Sequence, residues 1–145
     1  MYKQSFMKTD LSKILSVSGE HGLFRFLAQA RSGAIVEPLE GGDRKVFDYR
    51  SRITSLADIS IYTESGELKL KEVFLKMKEA LGGKEAPGSK APVAEIKALF
   101  DKAIPDYDGS RFYVSHMKKV VDWYNDILKG ASFDFVEEEE EPAAE

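Results

Sequence analysis

Residues 23–49 read LFRFLAQARSGAIVEPLEGGDRKVFDY, and this stretch decides the fold. It contains three short β-type runs separated by the turn residues Arg31-Ser32-Gly33 and Glu40-Gly41-Gly42-Asp43. A fourth run follows shortly afterwards. The four runs cover residues 23–30, 34–39, 45–49 and 58–62. Short runs punctuated by turns are typical of a small antiparallel sheet or barrel.

The side chains of the first run alternate in character. Phe24, Phe26 and Ala28 share one face, while Arg25 and Gln29 share the other. Successive side chains of a strand point to opposite faces, so this pattern predicts a half-buried antiparallel strand. We therefore expect an SH3-like β-barrel or a curled antiparallel sheet, a class of module that binds more often than it catalyses.

Helical segments are predicted on both sides of these runs. Asp10 is a suitable N-cap for a short helix with Leu11, Ile14 and Leu15 on one face. After a turn at residues 63–67, the apolar residues follow helical spacing up to Gly82-Gly83, which ends the helix. They are Leu70, Val73, Phe74, Met77 and Leu81. This helix is expected to cover the sheet.

The last third of the chain predicts a helical hairpin behind a polar linker. Residues 82–92 read GGKEAPGSKAP, a polar stretch that indicates a flexible connection over residues 84–92. One helix then begins near Val93 and stops at Pro105, and a second, capped by Ser115, runs to about Lys129. The predicted fold is α+β, in four parts. They are a β-barrel-like domain with its helix (7–83), the linker (84–92), the helical hairpin (93–136) and an acidic tail (137–145).

Composition excludes several classes of protein. The 145 residues carry a net charge of −4, but the last nine contain six glutamates, so the remainder is close to neutral. The chain has no cysteine for a disulfide or a thiolate zinc site. It also has no apolar run of the ~20 residues that a membrane helix requires. We expect a cytoplasmic protein without membrane association, and a disordered tail.

No motif predicts catalysis, a cofactor or a metal. The turn Asp106-Tyr107-Asp108-Gly109-Ser110 suggests a calcium loop, but Arg111 and Met117 stand where an EF-hand requires Gly and Glu. Gly41-Gly42 with Lys45 lacks the Lys-Ser/Thr pair of a phosphate loop. His21 and His116 lie far apart, and no nucleophile motif accompanies them. The sequence therefore predicts a protein that is not an enzyme.

The last predicted helix has an unusually wide apolar arc. His116, Trp123 and Ile127 line up along one flank of its buried stripe when each residue advances ~100°. One interpretation is that aromatic residues of the same chain fill this flank. The candidates are Phe112, Phe133 and Phe135. The other is that the flank docks on the N-terminal part or on a partner.

A mild basic cluster is the second candidate surface. Its members are Arg25, Arg31, Arg44, Lys45, Arg50 and Arg52. Phe47 and Tyr49 lie nearby, and bases mixed with aromatics on a small barrel can hold single-stranded nucleic acid. The alternative is a solvated face whose charge is balanced by acidic neighbours. Those neighbours are Glu37, Glu40, Asp43 and Asp48.

Three stretches resemble a known family. They are MKTDLSKILSVSG at residues 7–19, SLADISIYT at residues 55–63 and FYVSHMKKVVDWYN at residues 112–125. Together they resemble an uncharacterised bacterial family of small two-part proteins, with Met7 as the usual first residue. The resemblance implies a two-part, cytoplasmic bacterial protein, and it implies no site residues.

The leading hypothesis is a non-enzymatic protein-binding or adaptor module whose partner is another protein. It depends on the missing catalytic motifs and on the apolar flank of the last helix. The alternative is an RNA- or ribosome-associated module that uses the basic sheet face, and phosphate contacts would make its binding sensitive to salt. An enzyme is the third hypothesis.

Overall fold

The computed structural model describes residues 9–20 and 22–135, which form an α+β fold. The described residues contain two antiparallel sheets and three α-helices. The strands are β1 (Ile14–Val17), β2 (Phe24–Gln29), β3 (Gly33–Pro38), β4 (Lys45–Asp48), β5 (Ile53–Ser55), β6 (Ser60–Thr63) and β7 (Gly66–Lys69). The helices are α1 (Leu70–Leu81), α2 (Val93–Ala103) and α3 (Val114–Gly130). The predicted acidic tail, His21, Met7 and Val136 lie outside the described residues.

The larger sheet has the strand order β4-β3-β2-β1-β5. In a flat sheet, β4 and β5 would stand about 19 Å apart, four spacings of about 4.8 Å. Only residues 49–52 connect them, and a turn bond from Ser51 N–H to Asp48 C=O (2.9 Å) shortens that connection further. The sheet must therefore curl.

Packing inside the curl agrees with this geometry. Phe47 of β4 and Ile53 of β5 both pack on one small cluster. That cluster consists of Leu15, Val17, Phe24 and Val36. The two edge strands are not hydrogen-bonded to each other. The predicted α+β class and the antiparallel sheet are confirmed, and the closed barrel is wrong, because the described strands do not close into one.

Three local predictions need correction. Asp10 caps only a 3₁₀ turn, Leu11–Lys13, by accepting from Ser12 N–H at 3.0 Å, and the chain then enters β1 instead of continuing as a helix. Strand β5 was not predicted. The fourth β-type run does not join the large sheet: a second 3₁₀ turn, Leu56–Asp58, redirects the chain, and β6 pairs with β7.

The three longer predicted helices are present. Helix α1 buries Leu70, Val73, Phe74 and Met77 and ends at Gly82, whose φ of 64° suits glycine. Helix α3 starts two residues earlier than predicted, with Tyr113 as its N-cap, so Ser115 is not the cap. Instead, Nδ1 of His116 accepts the N–H of Tyr113 at 3.2 Å, which satisfies a donor at the helix start.

One hydrophobic core contains residues from both sheets, from their turns and from all three helices. The large sheet and its turns contribute Leu11, Ile14, Leu23, Leu39 and Leu56, and the rest comes from β6 onward. Tyr124, Phe74 and Phe100 are its largest fully buried side chains. This shared core places α3 against the sheet as well as against α2.

The segment 84–92, predicted as a linker, has no helix or strand and lies along α3. Tyr124 donates its hydroxyl to the Lys84 carbonyl at 3.1 Å, and Asp122 accepts the Ser89 N–H at 3.1 Å. Ala86 is buried in the main core. Contacts between α3 and this segment therefore fix its course, while the proposed division into separate domains stays a prediction.

The two ends of the described chain meet. Thr9 N–H donates to the Asp134 carbonyl at 2.9 Å, and the Thr9 hydroxyl donates to the Ser132 carbonyl at 2.7 Å. Thr9 is buried and forms a parallel bridge with Phe135. Across residues 9–20 and 22–135, no helix combines the length and apolar character needed to cross a membrane.

Candidate functional site

A groove of about 220 Å³ lies between β6 and the first half of α3. One wall is β6 with the residue before it, and the other is the face of α3 that carries positions i, i+3, i+4 and i+7 from His116. The lining residues are Ile59, Ser60, Ile61, Tyr62, Arg111, Phe112, His116, Lys119, Val120 and Trp123. We call it the β6–α3 groove.

The groove contains two of the three residues predicted on the α3 flank. His116 is exposed and Trp123 is partly buried, and both line the groove. Ile127 is fully buried in the main core, so its side chain is not available at the surface. The flank thus divides into a groove wall near the start of α3 and a core contact near its end.

The three phenylalanines predicted to fill the flank lie in two different places. Phe112 is buried beside the groove, with its ring stacked on His116 at a centroid distance of 6.4 Å. Phe133 stacks on Tyr124 at 4.7 Å, and Phe135 stacks on Phe74 at 6.4 Å, both within the main core. Packing within the chain therefore supports the groove from below and leaves Trp123 and His116 on its wall.

Strand β6 presents one edge toward the groove side. Ile59 accepts the Leu70 N–H across the hairpin, so Ile59, Ile61 and Thr63 direct their main-chain groups to β7. Alternate residues of an antiparallel strand point the other way. Accordingly, the Tyr62 carbonyl accepts from Asp108 N–H at 2.9 Å on the outer edge. Among the described residues, no hydrogen bond reaches the main-chain N–H or C=O of Ser60 on this edge.

The charged side chains of the groove are basic. Arg111 and Lys119 line it, and among residues 9–20 and 22–135 no carboxylate does. The guanidinium of Arg111 lies 4.2 Å from the Tyr62 ring centroid, a cation–π contact that fixes it over the groove edge. Its Nε also donates to Asp108 at 3.0 Å.

The acidic turn next to the groove uses its carboxylates internally. Asp108 accepts from the hydroxyl (2.6 Å) and N–H (2.9 Å) of Ser110, and these bonds, together with Arg111, lower the pKa of Asp108. Asp106 accepts the Ser65 hydroxyl at 3.1 Å. These bonds hold the turn that leads into α3, and with it Arg111.

A larger polar cleft, about 600 Å³, lies on the other side of Trp123. Residues 16–20, 88–90 and the middle of α3 line it, and Trp123 and Lys119 line both cavities. Its charges are mixed: Glu20, Asp122 and Asp126 oppose Lys90, Lys119 and Lys129. Trp123 therefore separates a mainly apolar groove with basic side chains from a cleft that contains both acidic and basic side chains.

The predicted basic face does not form one surface. Arg25 is half-buried and donates to Glu37 at 3.3 Å and to the Gly130 carbonyl at 3.2 Å. Lys45 lies 4.0 Å from Glu20 and over the Phe24 ring. Arg44 precedes Lys45 at the start of β4 and is exposed. These three basic residues thus lie apart from the remaining three.

The other basic residues follow the sheet's turns. Tyr49 N–H donates to the Ser32 carbonyl at 3.2 Å and its hydroxyl to the Ala30 carbonyl at 2.9 Å, which ties the β2–β3 turn to the β4–β5 connection. Arg31 belongs to the first and Arg50 and Arg52 to the second; all three are exposed, as is Tyr49. Sequence reasoning did not find this pairing of turns, because hydrogen bonds between distant residues create it.

Two family models match the chain. Residues 11–56 match a domain of unknown function, DUF5606, and residues 59–128 match another, DUF6852. The first match contains β1 to β5, and the second contains β6, β7 and the helices as far as Leu128. The models thus divide the chain at the second 3₁₀ turn, and not at residues 84–92.

A solved structure is similar along most of the chain. It is a solution NMR structure of a structural genomics target from Bacteroides vulgatus, 32% identical, with a TM-score of 0.71. The match covers 83% of this chain and 87% of that one. No curated protein matches the chain.

Proposed function

We propose that this chain, which belongs to the two-part family combining the DUF5606 and DUF6852 domains, is a non-enzymatic module that binds another protein through the β6–α3 groove. The family membership confirms the resemblance of residues 7–19, 55–63 and 112–125 to an uncharacterised family of two-part proteins. A cytoplasmic location and an SH3-like description of the curled sheet are part of the same proposal.

One observation supports the proposal: the chain's single tryptophan stands on the wall of a concave, largely apolar surface. Tryptophan is enriched among residues that dominate binding energy, because it offers a large contact area with few rotatable bonds. Val120 and Phe112 add apolar surface, while Arg111 and Lys119 supply a polar rim. A buried apolar centre with a polar rim is the usual composition of a protein-binding surface.

Comparative affinity purification tests this proposal. The wild-type chain, Trp123→Ala and Tyr49→Ala are each purified from the native cell, at low and high salt and with nuclease treatment. Tyr49 is an exposed aromatic residue that does not line the groove, and it serves as the matched control. We expect the same nuclease-resistant partner with wild type and Tyr49→Ala, and its loss with Trp123→Ala. Equal recovery with a stably folded Trp123→Ala protein would contradict the groove as the binding surface.

The second candidate function is binding of single-stranded RNA at the paired turns of the large sheet. The exposed Tyr49 between Arg31 and Arg50 favours it, because bases stack on aromatics while cations neutralise the phosphates. The test compares Arg31→Glu/Arg50→Glu with Lys97→Glu/Lys102→Glu, a control of equal charge change on α2. Binding of oligouridine should fall only in the first variant and weaken as salt rises. Affinity independent of salt would eliminate this candidate.

A further inference from the structure

We propose that the β6–α3 groove takes an acidic, extended peptide segment of the partner protein, which adds to β6 as a further strand. This inference rests on the proposed function and specifies its ligand. The peptide's main chain pairs with the free part of the β6 edge, and its side chains alternate between the groove and solvent.

The main-chain groups of Ser60 support the pairing. They point away from β7, toward the side of β6 on which Asp108 bonds to Tyr62. The segment 106–108 covers the edge only at Tyr62 and Glu64, through the bonds to Asp108 and Asp106. Ser60 itself lines the groove. A strand edge whose donor and acceptor open into a groove is the arrangement that peptides use when they extend a sheet.

The apolar surface of the groove supports an extended peptide with at least one apolar side chain. Side chains of a strand alternate in direction, so every second residue of the added strand would face α3. Phe112, Val120 and Trp123 lie there. A free volume of about 220 Å³ suits one or two side chains rather than a helix or a folded domain.

Charge complementarity supports an acidic segment. Within the part of the chain that the structure describes, the groove lining contains Arg111 and Lys119 and no carboxylate, whereas the neighbouring cleft beyond Trp123 contains side chains of both charges. Arg111 is already paired with Asp108, so Lys119, which is exposed, is the principal site for a peptide carboxylate. Like charges on a basic peptide would be repelled.

Tryptophan fluorescence provides the measurement, because Trp123 is the only tryptophan of the chain. The probe is the synthetic peptide Ac-Glu-Glu-Val-Phe-Val-Glu-Glu-NH₂. There are three comparison peptides. In the first, Lys replaces every Glu. In the second, the main-chain nitrogens of alternate residues are methylated, starting at the first Val, and in the third the nitrogens of the intervening residues are methylated. Only one N-methylated set removes the hydrogen bonds to β6, so strand addition predicts weaker binding by about tenfold for one set only.

Protein variants test the same contact from the other side. Ser60→Pro removes the outward N–H, and the preceding Ile59, at φ −101° and ψ 135°, already has a backbone that tolerates a following proline. Lys69→Pro is the control, since Lys69 lies opposite Ser60 on β7 with a φ of −68° that proline adopts. Lys119→Glu is compared with Lys97→Glu on α2. We expect about tenfold weaker binding for Ser60→Pro and Lys119→Glu, and little change for the controls.

The outcomes separate this inference from the proposed function. Equal binding of both N-methylated peptides overturns strand addition, and equal binding of the Lys peptide overturns the acidic ligand. No response at about 1 mM acidic peptide overturns the inference; if Trp123→Ala still loses the cellular partner, the proposed function stands. If a chain ending at residue 136 binds the peptide far more tightly, the chain's own residues 137–145 occupy the groove, and the inference of a partner's peptide is wrong.

Discussion

The side-chain amide of Asn125 binds both main-chain groups of Ala86. Its Oδ1 accepts the Ala86 N–H at 2.8 Å, and its Nδ2 donates to the Ala86 carbonyl at 3.1 Å. The Asn125 amide thus satisfies one donor and one acceptor of the main chain, as a neighbouring strand would, in a segment that has no helix or strand. It explains how residues 84–92, which form no helix or strand, hold a defined course along α3.

Replacing Asn125 should therefore release the segment without unfolding the protein. We expect Asn125→Ala to lower the free energy of unfolding by about 1–3 kcal/mol, because two hydrogen bonds are lost and buried groups of Ala86 are left unpaired. Hydrogen exchange at the Ala86 amide should accelerate strongly. Lys118→Ala, on the same helix, is the control; similar exchange in both variants would show that Asn125 does not hold the segment.

Tyr124 should make stability depend on alkaline pH. Its burial raises the pKa of the phenol above the ordinary value of 10.0. The stabilising contribution of the neutral phenol is thus complete below pH 10 and is lost as pH rises through the higher folded-state pKa. Between pH 8 and pH 11, the free energy of unfolding measured with urea should decline more steeply for wild type than for Tyr124→Phe. Tyr113→Phe, at an exposed tyrosine, controls for removal of a phenol, and parallel curves for all three proteins would refute this assignment.

Gly130 should not tolerate a side chain. A Cβ at this position would lie 2.4 Å from the Leu39 carbonyl oxygen and 2.9 Å from its carbon, so the end of α3 would have to separate from the sheet. We expect Gly130→Ala to cost about 1–3 kcal/mol of stability, as overpacking does. Gly88→Ala meets nothing within 4 Å and serves as the control in thermal unfolding. Equal melting temperatures would mean that this contact can relax freely.

Ile127 and Trp123 should respond differently although they share a flank in the sequence. Ile127 is fully buried, so Ile127→Ala should cost about 2–5 kcal/mol through lost burial and a cavity. Trp123 is only partly buried, so Trp123→Ala should destabilise less and act mainly on binding. Denaturant unfolding measures the loss of unfolding free energy in each variant. A larger loss for Trp123→Ala than for Ile127→Ala would contradict this prediction.

Strands β2 to β4 and helix α1 could be predicted because their side-chain patterns are local and unambiguous. Strand β1 could not, since Leu11, Ile14 and Leu15 also fit helical spacing. Strand β5 has only three residues, too few for a pattern. The β-type run that includes Ile61 was recognisable, but its partner depended on the 3₁₀ turn before it.

One wall of the candidate site could be predicted from the sequence and the other could not. The α3 flank with His116 and Trp123 follows from helical periodicity, because those residues are close in sequence. The opposite wall, Ser60 and Tyr62, lies more than fifty residues earlier, and only tertiary packing brings it there. The same limit applies to Gly130, because only tertiary packing brings the Leu39 carbonyl so close that a side chain at this position would clash.

The meeting of Thr9 with Phe135 has a consequence for the order of segments along the chain. Because Thr9 N–H bonds to the Asp134 carbonyl at 2.9 Å, a short bridge between residues 135 and 9 would close the backbone into a ring. Such a ring could be reopened at the exposed Gly41-Gly42 turn without cutting a strand or a helix. A circular permutant of this kind should retain the fold, since each native contact would still be available to it.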